Sequence, residues 1–241
     1  DIPGVIGKKP VHIQSNEEKK KKTELSNLFI DTGLKGEQVK ELVPEGTVIT
    51  RAKQIIELGD TLSATSMDNR ISCYILAEAL LSDVKSSSDI HAVFTVQEEV
   101  GIRGARVAAQ AIQPDIGINL DVTLANDLPG VNEQDYCTDL GKGTAVKVMD
   151  KSIVCTPSLV NFLANLAEEN QIPCQREVLT AGGTDTSAMQ YLMGIGSHVT
   201  SISTPTRYIH STVETCAKSD IEAGIDLTIC SMESIESYRF E

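Results

Sequence analysis

The sequence predicts an α/β fold: a mostly parallel-stranded central sheet flanked by helices, with a small, incomplete β-rich accessory lobe. Three observations carry this expectation. From Ser66 onward, apolar strand-like runs alternate with segments of helical period, the pattern of strands joined by crossover helices. Over residues 1–66 the texture differs, with glycine, proline and short β-like runs following one another. The run Thr95 to Ala105 then places two adjacent carboxylates, Glu98 and Glu99, where a strand gives way to a glycine-bearing turn. In open α/β sheets, ligands bind outside such strand ends. The expected division is therefore a partial β-rich lobe over 1–66 and an α/β domain over 67–241.

Taken in order, Gly4–Gly7, Asn27–Asp31 and Thr47–Thr50 are the β-like runs of the lobe. Between them Glu37–Val43 has a helical pattern, stopped by Pro44, which cannot continue a helix. The run Glu17–Lys22 mixes both charge signs without aromatic residues and reads as a solvated loop. In the larger domain, Asp68–Leu81 carries Ile71, Ile75 and Ala79 at helical spacing. Residues 90–96 read as a buried strand, 103–112 as a helix, and Ile116–Leu120 as a second buried strand ending at Asp121. A strand follows at Ala145–Met149, and Pro157 opens a helix through Glu169, where its missing N–H does no harm. Gln175–Leu179 is a further strand, leading through Gly182 and Gly183 to a helix ending near Met193. Val199–Ser203 is the last strand, and Asp220–Ser237 the closing helix.

The chain has 241 residues, 41% hydrophobic and 23% charged, the balance of a globular protein. A net charge of −13 repels phosphate backbones, so nucleic acid is not an expected partner, whereas cations are favoured. The six cysteines show no CxxC spacing, and no secretory pattern is visible, which points to reduced thiols and a cytoplasmic location. No apolar run approaches the roughly 18 residues of a membrane span, so no membrane partner is expected. The first residue is Asp1 rather than Met, and the chain reads as if something had been removed upstream.

Four places could carry chemistry: Asp68 at a helix start, the Glu98–Glu99 pair, Asp121 at a strand end, and His210. Alone, Asp68 is explained as a helix cap, and His12, His91 and His198 as structural or surface groups. Together, carboxylates gathered around an imidazole would repel one another unless cations intervened. Such donors suit zinc, cobalt or manganese, with a position left open for water. A second ion roughly 3.5–4 Å away would need a bridging carboxylate. A remaining carboxylate could then act as general base.

Gln97-Glu98-Glu99-Val100-Gly101-Ile102-Arg103-Gly104-Ala105 occurs with Asp68-Asn69-Arg70, Asp121-Val122-Thr123, Gly182-Gly183-Thr184-Asp185 and Arg207-Tyr208-Ile209-His210-Ser211. In this combination, running in order from Gly4 to the last helix, the chain resembles the dinuclear-metal aminopeptidases of the tetrahedral (TET) and glutamyl aminopeptidase family. The resemblance implies a metal-dependent aminopeptidase that releases the N-terminal residue of short peptides through a metal-activated water. It implies two divalent ions, zinc or cobalt and also manganese, and a homo-oligomer such as a tetrahedral dodecamer, with the lobe over 1–66 serving oligomerisation. By the same resemblance Asp68 bridges the metals, Glu99 and His210 complete one site, and Asp121 binds the other metal. Glu98 is the general acid/base, Gly182 and Gly183 let a substrate backbone approach, and Arg207 and Tyr208 support the site.

One departure stands out. The family takes a further histidine ligand from an His-x-Asp strand upstream of the position matched by Gly4, and His12 does not replace it. The sequence is accordingly expected to be an N-terminally incomplete fragment. The alternative is a truncated relative that assembles without catalysis. A glycoside hydrolase, the label of some relatives, needs carboxyls about 5–5.5 or 6.5–9.5 Å apart across a sugar cleft. The absence of Trp and the adjacency of Glu98 and Glu99, which point apart on an extended chain, argue against it.

Overall fold

In the computed structural model, residues 1–52, 54–191 and 196–240 are described. The chain forms two compact units, residues 1–52 and 53–241. In the first unit, β1 (Val5–Lys8) pairs antiparallel with β2 (Leu28–Asp31), Gly7 opposite Phe29. A Cβ at Gly7 would lie 2.5 Å from the Phe29 ring, so glycine is what leaves room for the ring beside β1. Between the strands lies α1 (Asn16–Lys20), and α2 (Gly36–Leu42) follows them. The run read as a solvated loop is thus partly helical. The Ser15 hydroxyl accepts the Glu18 N–H at 3.2 Å, while the Glu18 carboxylate accepts the Ser15 N–H at 2.6 Å. That reciprocal cap holds one turn of helix together. Thr47–Thr50 forms no strand. None of the described residues of this unit is buried, as expected of so short a segment.

The second unit carries an eight-stranded sheet. Its elements are β3 (Ile55–Leu58), β4 (Thr61–Ala64), α3 (Met67–Leu81), α4 (Arg103–Ile112) and β5 (Ile116–Leu124). They continue with β6 (Thr144–Asp150), β7 (Ile153–Val154), α5 (Pro157–Glu169), β8 (Cys174–Val178), α6 (Thr186–Gln190), β9 (His198–Arg207), β10 (Glu214–Ala217) and α7 (Lys218–Ser234). Strands run in the order β3-β4-β10-β9-β6-β7, with β5 on β9 and β8 on β6. The expected end of α6 near Met193 falls outside the described residues. Ile55–Leu58 and Thr61–Ala64 lie within the span read as accessory lobe, yet they are strands of this sheet.

The fold is α/β, but the expectation of a mostly parallel sheet is corrected: most pairings are antiparallel. Only β5–β9 and β6–β8 run parallel, whereas β3–β4, β4–β10, β10–β9, β9–β6 and β6–β7 run antiparallel. A parallel pair needs a crossover of roughly a dozen residues. The turns at 59–60 and 208–213 are too short for that, so β3–β4 and β9–β10 must be antiparallel neighbours. The alternation of helix and strand placed the elements and left their directions open. Residues 90–96, expected as a buried strand, pair with no strand among the described residues, and Phe94 is 52% exposed. An apolar run becomes a strand only where another strand receives its backbone groups.

Two apolar layers fix the sheet. Val146, Val199 and Ile202 pack with Val160, Leu163 and Leu166 of α5 and Leu227 of α7. Val122 and Cys216 pack with Met67, Ile71 and Ile75 of α3 and Ile221 of α7. At Gly224 of α7 a Cβ would lie 3.0 Å from the Ile75 side chain, which marks the close approach of α3 and α7. The second layer matters for the site, because it anchors the start of α3 against β5 and β10.

Candidate metal centre

Apart from Asp121, each proposed site residue sits where a strand or turn hands over to the next element. After β4 the chain passes through Ser66, with φ 53°, and enters α3. Asp68 lies at that start with φ −72° and ψ 108°, outside helical geometry, and its side chain is 13% exposed. Its position is fixed from the next residue: the Asn69 side-chain amide donates to the Leu120 carbonyl of β5 at 3.1 Å. Glu98 and Glu99 occupy the turn before α4. The N–H groups of Gly101 and Ile102 both donate to the Glu98 carbonyl at 2.9 Å, and the Gly104 N–H donates to that of Val96 at 3.0 Å. A Cβ at Gly104 would stand 2.5 Å from the Val96 oxygen, so glycine is what allows this turn to close.

Asp121 does not end its strand, as the sequence suggested, but sits within β5, which continues to Leu124. It is buried and accepts the Val122 N–H at 2.9 Å and the Asn119 amide at 3.2 Å. His210 lies in the turn between β9 and β10, with φ 61°.

Ligand atoms of Asp68, Glu99 and His210 all lie within 4.8 Å of one another. His210 Nε2 is 3.2 Å from Asp68 Oδ2 and 3.5 Å from Glu99 Oε2. Asp121 is outside this cluster but shares its field. Burial first, then the charges of Glu99 and Glu214, push Asp68 up to about 6. Burial, followed by Asp185, Glu99 and Asp68, pushes Glu98 up to about 7. Asp121 is raised to about 8, mainly by burial, with Asp68 and Glu98 contributing. Buried first and crowded second, these carboxyls keep their protons to higher pH than usual, and a divalent cation would replace those protons. Two carboxylates and an imidazole are hard-to-borderline donors, which suit zinc, cobalt or manganese. The residues therefore fit a divalent metal ion, and the exposure of Glu99 and His210 side chains, 60% and 68%, leaves room for a further ligand.

The glycine pair lies in the loop before α6. Gly182 has φ 70°, a conformation that favours glycine, and its nearest neighbour to an added Cβ is Leu179 at 3.9 Å. At Gly183 a Cβ would lie 3.0 Å from the Ser152 hydroxyl oxygen, so packing alone accounts for that glycine. Thr184 donates to Asp150 at 3.3 Å, seating the loop on the end of β6. Arg207 grips Asp127 through two bonds of 2.9 and 2.7 Å, bracing the end of β9 before the His210 turn.

Two residues escaped sequence reasoning. Asp185 follows the glycines, receives the Thr95 hydroxyl at 2.6 Å, leaves its Oδ1 unpartnered, and is the charge that most raises Glu98. Glu214 begins β10, and its carboxylate receives backbone N–H groups from both Asp68 and His210. Its sequence signal was a charged residue four positions after His210, entering a short β-like run.

Comparison with known proteins accords with this geometry. Residues 1–227 match the profile of the M42 glutamyl aminopeptidase family. The chain belongs to that family. A putative aminopeptidase of Acetivibrio thermocellus is 38% identical over 227 residues, covering 94% of this chain and 67% of the relative. The structure of an aminopeptidase from the archaeon Desulfurococcus kamchatkensis superposes with a TM-score of 0.87 at 33% identity, over 99% of this chain and 68% of that one. The TET1 peptidase of Pyrococcus horikoshii, which can assemble into a tetrahedron or a large octahedral shell, gives 0.76 at 29% identity, over 95% and 67%. The chain thus spans about two thirds of the length of these relatives.

Proposed function

We propose that the protein is a metal-dependent aminopeptidase that hydrolyses the first peptide bond of short peptides, with Glu98 as the proton carrier. One observation supports this most: the donors of Asp68, Glu99 and His210 converge within 4.8 Å, and the adjoining carboxyl, Glu98, is held near pKa 7. Asp68, Glu99 and His210 would hold one divalent ion, and Asp68 with Asp121 would hold the second. Zinc, cobalt and manganese all match these donors. When bound, such ions polarise the scissile carbonyl and ease deprotonation of water. Glu98 then removes a proton from the attacking water and passes it to the departing amine nitrogen as the C–N bond breaks. A carboxyl poised near neutrality can do both.

Gly182 and Gly183 provide a side-chain-free stretch along which a peptide backbone can lie. The acidic surface and the carboxylates attract the substrate's free amino terminus. The unit formed by residues 1–52 serves as the accessory and assembly lobe, and the protein self-associates, with a tetrahedral dodecamer as the expected particle. The six unpaired cysteines fit a reducing cytoplasm. Among the described residues no helix is long and apolar enough to cross a membrane.

The test is hydrolysis of amino-acid p-nitroanilides and short peptides with free and with acetylated N-termini. Activity should appear on free termini alone, vanish on chelation and return with divalent metal. Activity that survives complete metal removal would refute the proposal.

A further inference from the structure

Glu214 is 3% exposed, and what its two oxygens do is unusual. The Asp68 N–H donates to Oε2 at 3.0 Å and the His210 N–H to Oε1 at 3.0 Å. Both N–H groups lie where regular structure offers them no partner. Asp68 is at the start of α3, where first-turn N–H groups have no intrahelical acceptor. His210 stands in a left-handed turn between two strands. The sheet puts Glu214 between them: it is paired with Ala64 of β4, just before the turn into α3, and it ends the turn that carries His210.

We infer that Glu214 is a positioning residue of the metal centre, its carboxylate clamping the backbones of Asp68 and His210 so that their side chains meet at one ion. This rests on the proposal that Asp68, Glu99 and His210 hold a divalent cation. The clamp is rigid because β10 is hydrogen-bonded on both sides, to β4 and to β9. Backbone placement becomes donor placement: two turns from distant parts of the chain are set by one planar group, and His210 Nε2 arrives 3.2 Å from Asp68 Oδ2. Groups that orient ligands in this way commonly change metal affinity roughly 10–100-fold when altered.

Glu214→Gln is the informative variant. It has nearly the same shape but presents an NH2 where one of the two backbone N–H groups needs an acceptor, so one arm of the clamp opens. Glu214→Asp keeps both acceptors and the charge on a shorter stem and should recover part of the effect. Glu57→Gln, which removes an exposed ion pair with Lys218 on the edge strand, is the control. Zinc affinity of the metal-free proteins is measured by calorimetry, and coordination by the visible spectrum of cobalt(II)-loaded protein. Glu214→Gln should bind zinc about 10–100-fold more weakly and shift the cobalt bands, with Glu57→Gln matching the wild type. Wild-type affinity with an unshifted spectrum would overturn the clamp while leaving the metal centre intact. Weakened binding with an unshifted cobalt spectrum, or loss of fold in both Glu214 variants, would also overturn it by making Glu214 a fold determinant. A wild-type protein that takes up no zinc or cobalt would instead remove the metal centre on which the inference stands.

Discussion

His210 Nε2 lies 3.2 Å from Oδ2 of Asp68, although one residue sits in the β9–β10 turn and the other at the start of α3. That approach depends on β10 lying between β4 and β9, which brings both turns to the same end of these strands. Glu99 completes the group, so three donors that are remote in sequence converge.

Replacing Glu98 with Gln removes the proposed proton carrier and keeps the side-chain shape. Peptide hydrolysis should fall by about 10²–10⁴-fold, while metal content stays at the wild-type level. Steady-state kinetics and elemental analysis on the same preparation check both halves.

The metal-free protein should become less stable as pH rises. The carboxyls of Asp68, Glu98 and Asp121 titrate near 6, 7 and 8, above their ordinary values of 3.8, 4.5 and 3.8. A carboxyl with a raised folded-state pKa binds its proton more tightly in the folded chain. Its contribution is therefore full below about pH 4 and is lost as pH climbs toward about 8. Thermal unfolding in chelator should show a midpoint that drops between about pH 5 and 8, and saturating zinc should restore it most at the alkaline end. A midpoint that rises with pH in chelator would contradict the electrostatics described for the site.

Lys147 on β6 is fully enclosed, with its ammonium against Glu177 of β8 and 3.4 Å from Asp150. Lys147→Met would leave two buried carboxyls without their cation. The expected loss is about 3–5 kcal/mol of stability in denaturant unfolding. Removing one of those carboxyls as well, in Lys147→Met/Glu177→Leu, should recover much of it, since a well-packed apolar pair can replace a buried ion pair.

Leu163 of α5 is completely buried in the larger apolar layer. Truncation to Ala should cost about 2–5 kcal/mol through lost contact and the cavity left behind. The metal affinity of the surviving folded protein should not change, because this layer is built of apolar residues and none of the proposed ligands belongs to it.

Much of this was legible in the sequence where a local pattern carries the information. Pro157 and the apolar period behind it delimit α5 from Pro157 to Glu169 as expected. Asp68, Glu99 and His210, singled out from separate motifs, do come together. Strand direction was not legible, because it is decided by which strands pair, and β9 pairs with β5, β6 and β10 at once. Residues 90–96 had the composition of a strand but lack a pairing neighbour among the described residues. The short helix α1 did have a signal, Ser15 followed by Glu18, which the charge run obscured. Glu214 had almost none, since its bonds to the Asp68 and His210 N–H groups exist only once β10 stands beside both turns.

The most direct measurement is anomalous diffraction at the zinc edge from crystals equilibrated with zinc. The account predicts a peak bounded by Asp68 Oδ2, Glu99 Oε2 and His210 Nε2, lost in the His210→Ala protein. No peak at that position at saturating zinc would contradict it.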